Sequence, residues 1–348
     1  MHINYTRRYW KFTALAVSVL AIIAAALTLA YQHRGFFAYQ YAIRTSPIYA
    51  SYQTELLELV RKDPAKGIAR LRSILAEDPL SYNTCHGITH QMGHRAFETS
   101  GFRGAMAVQD AICGGGYVHG VLEGQFGLLQ ERELFDYVST LCEDDTYICH
   151  HGIGHGLMIT TNLNIEKSLG LCDALTGLAA RNCYDGVWMH IFDLEESGAS
   201  ISPNRAVDPT ASQVEKAAEL CTSAEQAYRT SCYFYLPRIF AHGKKTAFSN
   251  YVELCTGVET AYQVPCAAGS GHSAMKYHMN DPLAAVLSCN AYDAALRGGC
   301  KEGAFIYYLF SSKTTAMGDV DTHALCLKFE NTDHQRTCLR VDSYRHEL

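Results

Sequence analysis

The sequence predicts an all-α fold, a solenoid of helical hairpins that can close into a toroid, with one transmembrane helix at the N-terminus. Three observations predict it: a run of twenty uncharged residues near the start, cysteines that recur in pairs, and apolar runs that open with Asp-Pro steps. A length of 348 residues with 48% hydrophobic residues is enough to bury a core, in one large domain or in two halves.

The first predicted element is residues 12–31, which read FTALAVSVLAIIAAALTLAY. A helix of about 20 residues crosses the hydrocarbon core of a bilayer. Arg7, Arg8 and Lys11 precede the run, so the positive-inside rule favours a cytoplasmic N-terminus over residues 1–11.

A cleaved signal peptide is the alternative for this run, because Thr28-Leu29-Ala30 fits a small-residue cleavage site. Arg34 and Arg44 beyond the run also weaken the charge bias. The apolar run is long for a signal peptide, which favours an uncleaved single-pass anchor in the cell membrane. In both cases the rest of the chain is expected outside the cytoplasm.

Four further segments follow from the composition. Residues 32–84 are predicted to form a linker with leading helices, and residues 85–194 a set of histidine-rich helical repeats. A turn-forming stretch at residues 195–209 is expected to be an inserted loop. Residues 210–348 complete the chain with C-terminal helical repeats.

All fourteen cysteines lie at or beyond Cys85, and their pairing is typical of an oxidising compartment. A Leu-Cys step closes an apolar stretch five times, Ser288-Cys289 is a sixth copy, and a second cysteine follows each. Reduced, buried thiols are the alternative. The predicted disulfides join Cys142 with Cys149, Cys172 with Cys183, Cys221 with Cys232, Cys255 with Cys266, Cys289 with Cys300 and Cys326 with Cys338, which leaves Cys85 with Cys113.

The second cysteines set a period. Their spacing is 34 residues in three of the intervals, which is the length of a helix-turn-helix repeat, and the longest interval contains the stretch 195–209. In each repeat one helix is expected to end near the first cysteine and the next to start at the second. Asp63-Pro64, Asp208-Pro209 and Asp281-Pro282 are expected to begin helices, as an N-cap followed by proline.

This layout resembles the tetratricopeptide-type helical hairpins, and especially their cysteine-rich, disulfide-bridged relatives, from about Cys85 to Leu348. The resemblance is one of period and cysteine layout. It implies a curved solenoid whose concave face binds peptides or proteins.

A second motif, Cys-x-x-Gly-x-x-His, follows several of the second cysteines. It ends at His119, His155 and His272, and near copies end at His90 and His190. Equivalent residues of stacked repeats share a face, so His90, His119 and His155 are predicted to lie side by side on neighbouring helices, whose axes pack roughly 8–10 Å apart.

Two more side chains extend this face, because residues four apart on a helix are neighbours. His86 and His94 lie four residues on either side of His90, so at most two of these three bind one ion, and His90 with His94 are expected to chelate it. Glu123 follows His119 by four. We therefore expect a metal site for zinc, iron or copper built from His90, His94, His119 and His155, with Glu123 as a general base.

Structural histidines are the alternative, and they are the favoured interpretation for His190 and His272. His272 joins the others only if the array closes into a toroid. His150 and His151 are expected at the surface or at a helix cap. Trp188, Phe192 and the aromatic run from Tyr233 to Tyr235 are expected in the core, and the glycines beside the histidines (Gly116, Gly120, Gly152 and Gly156) are explained equally well by close helix contacts.

Two functions fit these predictions. One is a membrane-anchored extracytoplasmic scaffold that binds a protein or peptide partner. The other is a metal-binding envelope protein or metal-dependent enzyme. Nucleic-acid binding is excluded, because the net charge is -6 and no basic cluster exceeds two residues.

Overall fold

The computed structural model describes residues 47–78, 85–130, 133–142, 147–192, 210–240, 247–279, 281–315 and 320–344. These ranges contain helices and no strand, which confirms the predicted all-α class. The predicted N-terminus 1–11, transmembrane run 12–31 and inserted loop 195–209 lie outside the described residues. Within the ranges given, no helix combines the length and apolar character needed to cross a bilayer.

The helices are numbered here in chain order. The α-helices are α1 Pro47–Lys62, α2 Pro64–Glu77, α3 Cys85–Met106, α4 Gly116–Phe126, α5 Leu134–Val138, α6 Tyr147–Thr160, α7 Ile165–Cys172, α8 Gly177–Phe192, α9 Ala211–Ser223, α10 Gln226–Tyr235, α11 Phe248–Gly257, α12 Gln263–Tyr277, α13 Pro282–Ser288, α14 Ala294–Thr315, α15 Thr322–Leu327 and α16 Thr332–Tyr344. Short 3₁₀ turns occupy Ile112–Gly115, Leu236–Phe240, Thr260–Tyr262 and Cys289–Ala291.

Two of the three Asp-Pro steps begin helices as predicted. Asp63 caps α2 by accepting a hydrogen bond from the backbone N–H of Lys66 at 3.3 Å. Asp281 caps α13 in the same way at 3.2 Å. Such a cap satisfies a backbone donor at the open end of the helix. The third step, Asp208-Pro209, lies outside the described residues.

All seven predicted disulfides form. They join Cys85 to Cys113, Cys142 to Cys149, Cys172 to Cys183, Cys221 to Cys232, Cys255 to Cys266, Cys289 to Cys300 and Cys326 to Cys338, and the described chain contains no free cysteine. Reduced thiols are therefore the wrong alternative in this structure.

The expectation that each repeat's second helix starts at its second cysteine is wrong. Helix α8 begins at Gly177, six residues before Cys183. The reason is that only residues 173–176 separate α7 from α8, so the second helix starts as soon as this short turn ends. The disulfide then joins residues inside two adjacent helices.

Seven helices pack in series, each against the next: α3, α4, α6, α8, α10, α12 and α14. Helix α14 also packs against the turn Ile112–Gly115 that precedes α4. The last helix of this series therefore contacts the chain near its first members.

Glycines allow these helices to approach closely. A Cβ added at Gly120 would fall on the carbonyl oxygen of His90, and one at Gly186 would fall on that of His151. A side chain at either position would clash with the neighbouring helix. The backbones of α3 and α4, and those of α6 and α8, are therefore in direct contact. The predicted close contacts of Gly116, Gly152 and Gly156 are also present. This packing brings the histidines that flank the glycines into one interior layer.

Candidate metal centre

Six histidines and one glutamate meet in the interior between four neighbouring helices, α3, α4, α6 and α8. They are His86 and His90 on α3, His119 and Glu123 on α4, His151 and His155 on α6, and His190 on α8, and none is more than 7% exposed. We call these seven residues the histidine cluster. Burying an imidazole costs free energy unless its nitrogens are hydrogen-bonded, so the contacts of each ring matter.

The three histidines predicted to lie side by side do so. The ring centroids of His90 and His119 are 5.3 Å apart, those of His90 and His155 are 5.5 Å apart, and those of His119 and His155 are 5.0 Å apart. The shared phase of the repeats therefore brings them together.

Glu123 connects two histidines of α3. The Nδ1–H of His90 donates to Oε1 of Glu123 at 3.0 Å, and the Nε2–H of His94 donates to Oε2 at 2.7 Å. His94 therefore bonds to the glutamate from the rim of the cluster, and its side chain is 18% exposed. The predicted chelation of one ion by His90 and His94 together is not seen, because both rings turn toward Glu123.

His86 and His90 face each other through their outer nitrogens. Nδ1 of His86 bonds to the carbonyl oxygen of Cys113, which can only accept, so Nδ1 carries the proton. Glu123 holds the proton of His90 on Nδ1 in the same way. The two Nε2 atoms, 3.0 Å apart, are then both lone-pair donors in the neutral rings.

The cluster contains two groups of potential ligand atoms. One group is His86, His90 and His119, and the other is Glu123, His155 and His190, with the ligand atoms of each group within 4.8 Å of one another. The hydrogen bond between His90 and Glu123 joins the groups. Their imidazole and carboxylate donors suit a transition metal.

Several ring nitrogens of the cluster are buried. Both nitrogens of His119, Nδ1 of His151 and Nε2 of His190 have no hydrogen-bond partner of acceptable geometry among the described residues. Most buried polar atoms have such a partner, so these nitrogens indicate a ligand that is not part of the polypeptide.

The electrostatics keep these rings neutral. Burial, followed by the neighbouring imidazoles, lowers the pKa of His119 and His155 well below the ordinary value. Burial also lowers the pKa of His190 to about 4. A metal ligand must be neutral imidazole, so His119, His155 and His190 are already in the protonation state that metal binding requires.

The carboxyl group of Glu123 behaves in the opposite way. Burial alone would raise its pKa, but the electrostatic influence of His90 and the hydrogen bonds from His90 and His94 outweigh that effect and hold the pKa below its usual range. Glu123 is therefore an anion in the interior, where a cation stabilises it.

A cavity of about 620 Å³ adjoins the cluster. His86 and His151 line it, whereas His90, His94, His119, Glu123 and His155 do not. Helices α2, α3, α6, α8, α10, α12 and α14 all contribute to its wall. The cavity therefore reaches the cluster through the His86 and His151 side.

No family model matches the chain, and comparison with curated proteins and with solved structures finds no match. The resemblance to tetratricopeptide-type repeats therefore stays a prediction.

The predicted metal site left out three members of the cluster, His86, His151 and His190. His86 precedes His90 by four residues and His151 precedes His155 by four, which is the spacing that places them on the same face. The prediction of His150 and His151 at the surface is wrong, because α6 packs between α4 and α8 and buries both. His190 lies one residue beyond the motif spacing and still reaches His155.

His272 does not join the cluster. Its ring contacts Phe234, Tyr235 and Tyr307, and it lines the same cavity as His86 and His151. Phe234 and Tyr235, expected in the core, also line this cavity. Trp188 and Phe192 are buried as predicted.

Proposed function

We propose that this chain is an extracytoplasmic metal-binding protein whose histidine cluster holds up to two transition-metal ions. The observation that carries the proposal is the pair of Nε2 atoms of His86 and His90, 3.0 Å apart with both protons held on Nδ1. Two lone pairs repel each other at this distance, so a proton or a metal ion must lie between them.

A metal ion explains more than a proton does. Two nitrogens that bind one zinc ion in tetrahedral geometry are about 3.3 Å apart, since each Zn–N bond is about 2.0–2.1 Å. A proton between His86 and His90 would leave the buried nitrogens of His119 unexplained. Glu123 and the carbonyl of Cys113 orient the two rings, as partners of metal-bound histidines commonly do.

The ligand set favours zinc, iron or copper, because it consists of imidazoles with one carboxylate. Such an ion polarises a substrate oxygen or lowers the pKa of bound water. For Glu123 we propose the role of a ligand and orienting group rather than that of a general base. Its carboxylate accepts hydrogen bonds from two histidines, and its side chain does not line the cavity.

The predicted architecture belongs to the same proposal. The chain is a solenoid of helical hairpins closed toward a toroid, and the packing of α14 against the turn Ile112–Gly115 supports the closure. Residues 12–31 anchor it in the cell membrane, with residues 1–11 in the cytoplasm and the repeats outside. Seven disulfides support this location, since they persist in oxidising compartments.

The scaffold that binds a protein or peptide stays a prediction, because no observation favours it over metal binding. The cavity has the size of a small-molecule site, about 300–1,000 Å³, rather than that of a groove for a folded partner.

Elemental analysis tests the proposal. The full-length protein is purified in detergent under oxidising conditions, loaded with zinc, iron or copper, dialysed and measured beside three variants. We expect one or two ions per chain in the wild type and in His334→Gln, a buried histidine outside the cluster. His119→Gln and His190→Gln should lose bound metal. A folded wild type that retains no metal would refute the proposal.

A further inference from the structure

The cavity beside the histidine cluster is positively charged. Five cationic side chains and two acidic ones line it, although the chain as a whole carries a net charge of -6. The cationic side chains are Arg72, Arg181, Arg238, Lys276 and Lys313. A cavity lined by one sign of charge concentrates ligands of the opposite sign.

Two of these cations are deep in the wall. Arg238 and Lys276 are each 3% exposed. The guanidinium of Arg238 lies over the ring of Tyr235, 5.3 Å from its centroid, and its Nη2 is 3.4 Å from Nδ1 of His272. Because both side chains also line the cavity, they are placed to bind an anionic ligand there.

The two acidic side chains of the lining are fewer than its five cationic side chains. Asp110 accepts from Nη2 of Arg72 at 2.7 and 2.9 Å, so it is committed to that arginine. Burial raises the pKa of Asp185 to about 6, although Arg181 and Ser231 oppose this. A net excess of positive charge therefore remains in the wall.

Aromatic side chains form another part of the wall. Tyr147 contacts the ring of Phe310 at 5.6 Å and that of His151 at 5.0 Å between centroids, and its hydroxyl lies 3.2 Å from that of Tyr235. Tyr307 contacts His272 on the opposite side. Aromatic faces of this kind bind the apolar body of a ligand, while buried cations hold its charged end.

We infer that this cavity binds a small organic anion, a carboxylate or phosphate ester on an aromatic or apolar body, and holds it against the metal centre at His86 and His151. The placement against the metal rests on the proposed function, since His86 is a ligand there. Arg238 and Lys276 bind the anionic group, and the tyrosines and phenylalanines bind the body.

Calorimetry with three matched probes tests this inference. Phenylacetate and phenyl phosphate carry the charge, and phenylacetamide is the neutral counterpart of the carboxylate. Each is titrated into full-length protein, both metal-free and loaded with Co²⁺, whose visible absorption reports on its ligands. The variants are Arg238→Gln and Lys276→Gln, with the exposed Arg340→Gln as the matched control.

We expect at least one anion to bind the wild type about tenfold or more tightly than the amide does, because the anion alone meets the cations. The comparison between the two anions identifies the head group. Arg238→Gln and Lys276→Gln should each weaken anion binding about tenfold or more, with the amide and the control unchanged. Anion binding should also change the Co²⁺ absorption.

Two results would overturn the inference. If the amide binds as tightly as both anions, or if neutralising Arg238 and Lys276 leaves anion binding unchanged, the cavity is not an anion site. If either result is obtained with protein that does bind Co²⁺, the proposed function stands and only the inference about the cavity fails. Should no Co²⁺ bind, the proposed function fails, and the titrations of metal-free protein decide on the anion site by the same tenfold criterion.

Discussion

The Nδ1 atoms of His155 and His190 lie 3.1 Å apart, across the contact between α6 and α8. It resembles the close approach of the Nε2 atoms of His86 and His90, which both lie on α3. Both pairs are buried, and burial lowers the pKa of His155 and of His190. Pairs of neutral imidazoles with converging nitrogens are the element from which the proposed metal centre is built.

Glu123→Gln should weaken metal binding. The glutamine keeps the size of the side chain but removes the negative charge that orients His90 and His94. Loss of such an outer partner typically costs about 10–100-fold in metal affinity, and loss of a direct ligand at least as much. Competition with a coloured chelator measures the change. The exposed Glu98→Gln in α3 is the control and should bind as the wild type does.

Gly120→Ala should destabilise the fold. Its Cβ would fall on the carbonyl oxygen of His90, so α3 and α4 must separate, at a cost of about 1–3 kcal/mol. The metal centre should be lost with the separation. Gly170→Ala in α7 meets no atom within 4 Å and should stabilise by about 0.5–1 kcal/mol. Denaturant titrations compare the two; equal stabilities would contradict the close packing of these helices.

Metal-free protein should lose stability as the pH falls from about 6.5 to about 4. An unfolded histidine titrates near 6.5, whereas burial lowers the pKa of His190 to about 4. The unfolded state therefore binds more protons in this window than the folded state does, and the free energy of unfolding decreases as the pH decreases. His190 alone accounts for about 3 kcal/mol, at 1.36 kcal/mol for each pKa unit.

His119 and His151 act in the same direction, because burial also lowers their pKa. Unfolding of chelator-treated protein at several pH values measures the slope. His190→Gln should flatten it, whereas substitution of the exposed His278 should not. A stability that is constant from pH 6.5 to 4 would show that these rings are not buried as neutral groups.

Removal of the Cys85–Cys113 disulfide should cost more than removal of Cys142–Cys149. The first closes a loop with a sequence separation of 28 and the second one of 7. The chain-entropy model gives about 4 and about 2 kcal/mol respectively. Melting of the two double-alanine variants measures the order. The first variant should also bind metal more weakly, because the carbonyl of Cys113 orients His86.

The disulfides and the alignment of three histidines could be predicted from the sequence, because both follow from a fixed phase in the repeat. Cys183 and Cys232 keep their partners even across the longest interval, and His90, His119 and His155 meet because α3, α4 and α6 are consecutive neighbours. A repeat constrains which residues share a face without any knowledge of the tertiary structure.

The remaining features depend on tertiary contacts that a pattern does not contain. His151 is an interior residue only because α8 covers α6, and the orientation of His94 depends on the reach of Glu123 from another helix. The cavity wall is the clearest case, since Tyr307 lines the same cavity as His86 only because α14 returns to the turn before α4.

Anomalous X-ray diffraction from crystals of the metal-loaded protein, recorded on both sides of the metal absorption edge, tests the metal centre most directly. The account predicts a difference peak bounded by the ring nitrogens of His86, His90 and His119, and a second peak near Glu123, His155 and His190. A well-ordered cluster with no anomalous peak between these side chains would contradict it.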